Sequence, residues 1–330
     1  MISSPAPSRN ALHLKEADRR AFRKRLLAWY AENQRDLPWR RTRDPYRVWL
    51  SEIMLQQTRV AAVLDHYARF LQRFPTIEKL AAAREASVLA VWSGLGYYRR
   101  ARMLHAAARR VVSDLGGRIP STVEGLQALP GVGRYTAAAI ASIAFDQPAA
   151  VVDGNVQRVL QRLTGREITG PRLWAVAEEL LSRKRPGDFN QAMMELGATV
   201  CLPGEPLCQD CPVAQSCRTR GKGSRRHSKP RQQKREICYA LNCRNGSVFL
   251  VKRPTNASLM ANMWELPEIA ALPSAPELKL RHSITVTDFV VHVARADTPG
   301  ISGHWVANSR LSRLPLTGLA RKILRAAEMI

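Results

Sequence analysis

The hydrophobic period of the chain changes once, and that change limits what it can fold into. From about residue 18 to about residue 200, apolar side chains recur at the helical spacing of about 3.6 residues. RRAFRKRLLAWYAE and REASVLAVWSGLGYYRRARMLHAAARRVVSDL are examples. From Ile237 the period becomes about two. ICYALNC and SVFLVKRP flank Asn245-Gly246, a hairpin signal. HSITVTDFVVHVARA and GHWVA add strand-like runs, and LTGLARKILRAAE returns to a helix. The expected fold class is a mostly α N-terminal part followed by a smaller α+β part. Between them RTRGKGSRRHSKPRQQKR is basic with almost nothing apolar, a linker by composition that also suits phosphates. The expected boundaries are a frayed start over 1–17, a helical domain over 18–220, a basic linker over 221–235 and the α+β domain over 236–330.

Within the helical part, Gly and Pro punctuate short helices at Pro75, Gly94, Gly96, Gly116-Gly117, Pro120 and Pro130-Gly131. STVE from Ser121 to Glu124 fits a capping box, so a helix is expected to start there. The 330 residues carry a formal net charge of +24, which points to a polyanionic partner, nucleic acid first and an anionic membrane surface second. No apolar run approaches the roughly 20 residues of a spanning helix. The first twenty residues lack the apolar core of a signal peptide. The chain is therefore expected to be cytoplasmic, without a membrane partner.

Four features carry chemistry. WLSEIMLQQTRV places Glu52 in a stretch apolar on nearly every side, hence a buried helix. Burying a carboxylate costs several kcal/mol unless it is paired or protonated, so the pKa of Glu52 should rise. Asp153 ends an apolar run and opens Asp-Gly-Asn before a helix. There it suits an N-cap, and a helix N-terminus favours its ionised form. Two carboxyls pushed apart in pKa make an acid and a charge stabiliser, the pairing that glycosidic bond cleavage requires. LQALPGVGRYTAAAIASIAF turns between two helices through Gly131, Val132 and Gly133 into Arg134, and free N–H groups at such a turn favour an anion. Cys201, Cys208, Cys211 and Cys217 lie in a C-x6-C-x2-C-x5-C pattern within seventeen residues. Such a loop can close around zinc or an iron–sulfur cluster, and its one-loop layout, stiffened by Pro203, Pro206 and Pro212, favours the cluster.

Read together, LPWR, SEIMLQQTRV, GLGYYRRAR, LPGVGRYTA, VVDGNVQRVL, NQAMMELGATVC and the four-cysteine loop occur in the order seen in the MutY adenine DNA glycosylases. The chain resembles that family over roughly residues 20 to 220, and more weakly beyond. The resemblance implies a helix-hairpin-helix glycosylase domain with an iron–sulfur loop over 201–217, and a Nudix-like C-terminal domain that checks for 8-oxoguanine. It implies a [4Fe-4S] cluster on the four cysteines. The implied partner is double-stranded DNA with adenine opposite 8-oxoguanine or guanine, bound by a monomer. The activity would be adenine removal by N-glycosidic hydrolysis in base excision repair.

By the same resemblance Glu52 donates a proton to adenine, Asp153 stabilises the oxocarbenium-like sugar, and Tyr135 and Asn155 orient them. Arg35, Leu37, Trp39, Arg40 and Glu195 would line the adenine pocket. Gln57, Thr58, Leu95 and Tyr97 would push into the stack beside 8-oxoguanine, and Gly131, Val132, Gly133 and Arg134 would grip a phosphate. Endonuclease III relatives carry a nucleophilic lysine where this chain has Tyr135, so Schiff-base lyase chemistry is not expected. The alternative is a related iron–sulfur mismatch or oxidised-pyrimidine glycosylase with lyase activity. The C-terminal part departs from the family: many members have a Phe-Ser-His loop where this chain has Ser283-Ile284-Thr285-Val286, which leaves Thr285 as the candidate donor to 8-oxoguanine.

Overall fold

The structure is a computed structural model, and it describes residues 15–220, 233–284 and 287–330. Among them no helix is long and apolar enough to cross a membrane. Helices α1 (Glu16–Asn33) and α2 (Pro45–Leu55) are followed by α3 (Val60–Arg73), α4 (Ile77–Ala81), α5 (Glu85–Trp92) and α6 (Arg99–Leu115). Then come α7 (Val123–Gln127), α8 (Arg134–Phe145), α9 (Gly154–Thr164), α10 (Gly170–Leu180) and α11 (Pro186–Thr199). The C-terminal part holds β1 (Gln233–Ala240), β2 (Cys243–Arg244), β3 (Ser247–Lys252), β4 (Trp264–Glu265), β5 (Glu268–Ile269), β6 (Leu278–Ile284), β7 (Thr287–Ala294) and β8 (His304–Ala307), closed by α12 (Asn308–Leu311) and α13 (Gly318–Ala326).

Packing divides the chain into two units, and neither is one continuous stretch. One comprises Met1–Gln56 with Ser113–His227, the other Gln57–Val112 with Ser228–Ile330. Composition alone places the boundary in the basic linker. Packing instead groups α3–α6 with the strands, because side chains of that helical segment bond the C-terminal part directly. The Ser93 hydroxyl donates to the Leu316 carbonyl at 2.6 Å, and Arg102 donates to the Ala261 carbonyl. The expected linker over 221–235 lies mostly outside the described residues, and Gln233 to Arg235 already belong to β1.

In the first unit, α2 starts on Asp44, whose side chain accepts from the Arg47 N–H at 3.0 Å, with Pro45 preset for the first turn. Tyr46 and every residue from Val48 to Met54 are buried, so α2 is apolar on all sides as its sequence requires. The helix α7 begins one residue later than the capping box predicts. Thr122, not Ser121, is the cap, and its hydroxyl accepts from the Gly125 N–H at 3.2 Å. Two glycines let α11 lie close to its neighbours: a Cβ at Gly187 would come 2.6 Å from the Ser142 carbonyl oxygen on α8, and one at Gly197 would come 2.6 Å from Asn155 Cβ on α9. Phe22, Leu26, Val156, Leu160, Leu196 and their neighbours fill the main core of this unit.

In the second unit β5-β1-β7-β6 form one sheet, with β1 parallel to β7 and the other pairs antiparallel. A second sheet joins β2, β3 and β4, and β8 pairs with β3. The hairpin at Asn245-Gly246 forms, with φ of 48° and 68° at its two turn residues, the signature of a two-residue primed turn. Its first strand is only the two-residue β2. The longer run before it, β1, crosses to the other sheet, and Cys243, on β2, is exposed. Thr285, the sequence candidate for the 8-oxoguanine donor, lies outside the described residues.

Candidate active site

Four helices of the first unit converge on two carboxyls. Glu52 sits two turns into α2 at 6 % exposure, in a wall of apolar side chains. Burial pushes its carboxyl from the ordinary 4.5 up to about 7. The Tyr135 hydroxyl, from the first turn of α8, donates to Glu52 Oε2 at 2.7 Å and pulls the other way, as does the charge of Arg40. The charge of Asp153 adds to the rise. Met194 Sδ lies 3.4 Å from the same hydroxyl, so α11 closes the pair from a third side.

Asp153 caps α9. Its Oδ1 accepts from the Val156 N–H at 2.7 Å, and its Oδ2 accepts from Asn155 Nδ2 at 3.3 Å. A helix N-terminus alone would hold this carboxyl low. Instead it is raised, because burial outweighs the Val156 and Asn155 N–H groups and the Arg158 charge that oppose it. The two carboxyls therefore move in the same direction, both raised by burial, and Glu52 reaches about 7.

Beside them, Arg35 and Arg40 enclose Glu195, whose side chain is fully buried. Arg35 donates from Nε at 2.8 Å and Nη2 at 2.6 Å, and its backbone N–H adds a third bond at 3.0 Å. Arg40 Nη2 adds a fourth at 2.7 Å. Burial acts to raise this carboxyl, but the hydrogen bonds from Arg35 and Arg40 outweigh it and bring it down to about 2. Leu37 and Trp39, on the 3₁₀ turn Pro38–Arg40 and just before it, are both buried at 6 % exposure. Glu195→Ala would strand both guanidiniums and is expected to cost about 3–5 kcal/mol of folding stability at neutral pH. Because the folded carboxyl is depressed, its contribution is complete above the ordinary 4.5 and is lost as pH falls through about 2. Urea denaturation should therefore show the gap between parent and variant closing towards the acid end.

The Gly-rich turn lies where its sequence puts it. Leu129 and Val132 are buried, Gly131 has φ of 74°, and Gly133 caps α8. Arg134 rests over the Trp174 ring of α10, 3.8 Å from its centroid. Gln57, Thr58, Leu95 and Tyr97 belong to the second unit. There Leu95 is buried, Tyr97 is 51 % exposed, and Thr58 Oγ1 accepts from Arg100.

None of the four cysteines forms a disulfide, and Cys201, Cys211 and Cys217 pack against the core around α9. The Cys211 thiol is pushed up to about 11, chiefly by burial and with a share from the three neighbouring cysteines, against a lowering hydrogen bond from the Val213 backbone. The thiols thus form one electrostatic group, and among the described residues none of them belongs to a cluster of three side chains closed on one metal ion. This loop also finishes α9, whose last carbonyls need partners. Leu163 O and Arg162 O accept from the Arg218 and Thr219 N–H groups at 3.2 and 3.3 Å.

Sequence reasoning missed Arg158, Gly197 and Met194. Arg158 Nη2 donates to Asn155 Oδ1 at 2.8 Å and to the Gly197 carbonyl at 2.6 Å, and its Nε donates to the Cys201 carbonyl at 2.8 Å. The i, i+3 spacing of Asn155 and Arg158 was the available signal. Gly197 and Met194 both sit inside MELGATVC, where nothing local reveals that α8 and α9 press against them.

Comparison with known proteins gives one family. Residues 50–182 match the HhH-GPD superfamily base excision DNA repair proteins. The adenine DNA glycosylase of Rattus norvegicus is 44% identical over 323 residues, covering 78% of this chain and 62% of that protein. The adenine DNA glycosylase of Homo sapiens is 53% identical over 215 residues, covering 61% of this chain and 39% of that protein. The chain thus spans less than two thirds of the length of these curated relatives. A solved thermostable thymine-DNA glycosylase superposes with a TM-score of 0.58 at 33% identity, covering 62% of this chain and 96% of that one. Through residues 50–182 the chain belongs to the HhH-GPD superfamily of base excision DNA repair proteins, and over 78% of its length it is similar to an adenine DNA glycosylase.

Proposed function

We propose that the chain is a monofunctional DNA glycosylase that hydrolyses the N-glycosidic bond of adenine mispaired with 8-oxoguanine or guanine. The observation that carries this reading is Glu52: a buried carboxyl near neutrality, oriented by Tyr135, with a second carboxyl on a helix N-terminus beside it. In the proposed reaction DNA is bound with the adenosine turned out of the duplex. Glu52 passes its proton to N7 of adenine, and the electrons of the C1′–N9 bond leave with the base. Asp153, ionised, stabilises the oxocarbenium-like sugar. Water then adds to C1′ and gives its proton to the Glu52 carboxylate, which restores the acid. The Tyr135 hydroxyl occupies Oε2, so the proton to be transferred is carried on Oε1.

The electropositive surface expected from a net charge of +24 suits the phosphates, with the turn Gly131–Arg134 as one grip. Gln57, Thr58, Leu95 and Tyr97 would enter the stack beside the opposite base. A [4Fe-4S] cluster would be held by Cys201, Cys208, Cys211 and Cys217, a reading supported by four thiol donors within one seventeen-residue loop, three of them packed against the same core. Such a cluster would tie the loop together at the C-terminal end of α9. Iron and sulfide analysis decides between the cluster and zinc.

The test of function is incubation with duplexes holding adenine opposite 8-oxoguanine, adenine opposite guanine, thymine opposite guanine, and an oxidised pyrimidine. Adenine release with strand breakage only after alkali is the expected result. The likeness to a thymine-DNA glycosylase makes the thymine duplex the informative competitor. Release of thymine or an oxidised pyrimidine without release of adenine would overturn the reading.

A further inference from the structure

The second unit contains a strained loop held from two sides. Gly94-Leu95-Gly96-Tyr97 joins α5 to α6, and three of its four residues have positive φ: 103° at Gly94, 76° at Gly96 and 48° at Tyr97. For a tyrosine that conformation costs of order 1–3 kcal/mol and persists only where the surroundings impose it. One set of contacts comes from the neighbouring helices. Trp92 Nε1 and Arg100 Nη2 both donate to the Gly96 carbonyl, at 3.1 and 3.3 Å. The Arg100 guanidinium lies 5.2 Å from the centroid of the Tyr97 ring.

The other set comes from residues more than two hundred positions away. Ser93 and Tyr98, the residues on either side of the loop, are both buried, and their hydroxyls donate to the same acceptor, the Leu316 carbonyl, at 2.6 and 3.3 Å. Arg321 Nε, on α13, donates to Ser93 Oγ at 2.8 Å. The Gly94 N–H donates to the Tyr98 hydroxyl at 3.4 Å. The acceptor is itself fixed, because the following N–H, of Thr317, donates to the Trp264 carbonyl on β4 at 2.9 Å. His66 Nε2 lies 3.3 Å from the Ser93 carbonyl and fills the remaining side. His66 and Arg321 line the space beside Gly94: a Cβ there would make ordinary contact, 3.4 Å from His66 Nε2 and 3.8 Å from Arg321 Cδ.

We infer that the C-terminal α+β part braces this loop, with Arg321 and Ser93 as positioning residues for Leu95 and Tyr97 on the opposite-base side of the DNA. The assignment of the loop to DNA rests on the glycosylase reading; the brace itself does not. The C-terminal part then does more than examine the opposite base: it presets the element that enters the stack.

The test uses the full chain with Ser93→Ala, Arg321→Ala and the conservative Arg321→Lys, and reads two quantities. Amide exchange over Gly94–Tyr98 is expected to accelerate about tenfold in Arg321→Ala, which loses one buried hydrogen bond, and by at least as much in Ser93→Ala, which loses two, while exchange in α2, α8 and α9 is unchanged. Single-turnover adenine release opposite 8-oxoguanine is expected to slow about tenfold, with Arg321→Lys recovering most of it. Unaltered exchange in the loop would overturn the brace. Faster exchange with unaltered release would overturn the loop's assignment to DNA while leaving the glycosylase reading intact. A parent chain that releases no adenine would sink that reading, and exchange would still decide the brace.

Discussion

Glu52→Gln is expected to remove adenine excision while leaving DNA affinity within about twofold of the parent. Glutamine keeps the volume and can still accept from the Tyr135 hydroxyl, so the packing of α2 against α8 survives. What it lacks is a transferable proton, and general acid catalysis contributes about 10²–10⁴ in rate. A loss at or above the upper end is expected, because adenine is a poor leaving group without its proton. Stability should move the other way. A carboxyl raised from 4.5 to about 7 favours the fold while protonated. That contribution is complete below 4.5 and is lost as pH rises through about 7. Glutamine has nothing to ionise, so the variant should melt at or above the parent temperature in alkaline buffer. Single-turnover kinetics, a binding titration and a melt at two pH values check all three parts together.

Asp153→Asn is expected to separate charge from structure. Asparagine is as good an N-cap as aspartate, so the bond from the Val156 N–H at 2.7 Å has an acceptor and α9 keeps its start. The charge is gone, and with it the electrostatic support for the oxocarbenium-like sugar. A fall of about 10²–10³ in single-turnover release is expected, the range seen on removing one preorganised stabilising group. Asp153→Ala should lose the same rate and, in addition, about 1 kcal/mol of stability with the cap. Equal melting of parent and Asn variant, with the Ala variant below both, is the pattern that assigns Asp153 both roles.

Much of this site can be read in the linear sequence because its signals are local. Glu52 stands out because burial of a whole helix is visible in seven consecutive residues, and Asp153 because cap chemistry is confined to one turn. The turn at Asn245-Gly246 is legible for the same reason. What sequence does not carry is partnership across the chain. β1 reads as half of a hairpin, yet it lies parallel to β7, some fifty residues on. Residues 57–112 read as one stretch of the helical part, yet Ser93 and Tyr98 bond Leu316. Arg158 bonds the carbonyls of Gly197 and Cys201, some forty residues on, and neither contact has a local signal. The pKa of Asp153 fails for a related reason: the helix terminus is local, but the burial that outweighs it is tertiary.

The central claim is that burial makes Glu52 an acid at neutral pH. Its most direct test is the pH dependence of the second-order rate of adenine release, measured with enzyme below saturation so that it reports the free enzyme. The account predicts a rate that falls about tenfold per unit above a single ionisation near about 7, where the Glu52 proton is lost. A rate that stays level or rises from roughly pH 6 to 9 would contradict it, since no proton essential to the reaction would then be lost around neutrality.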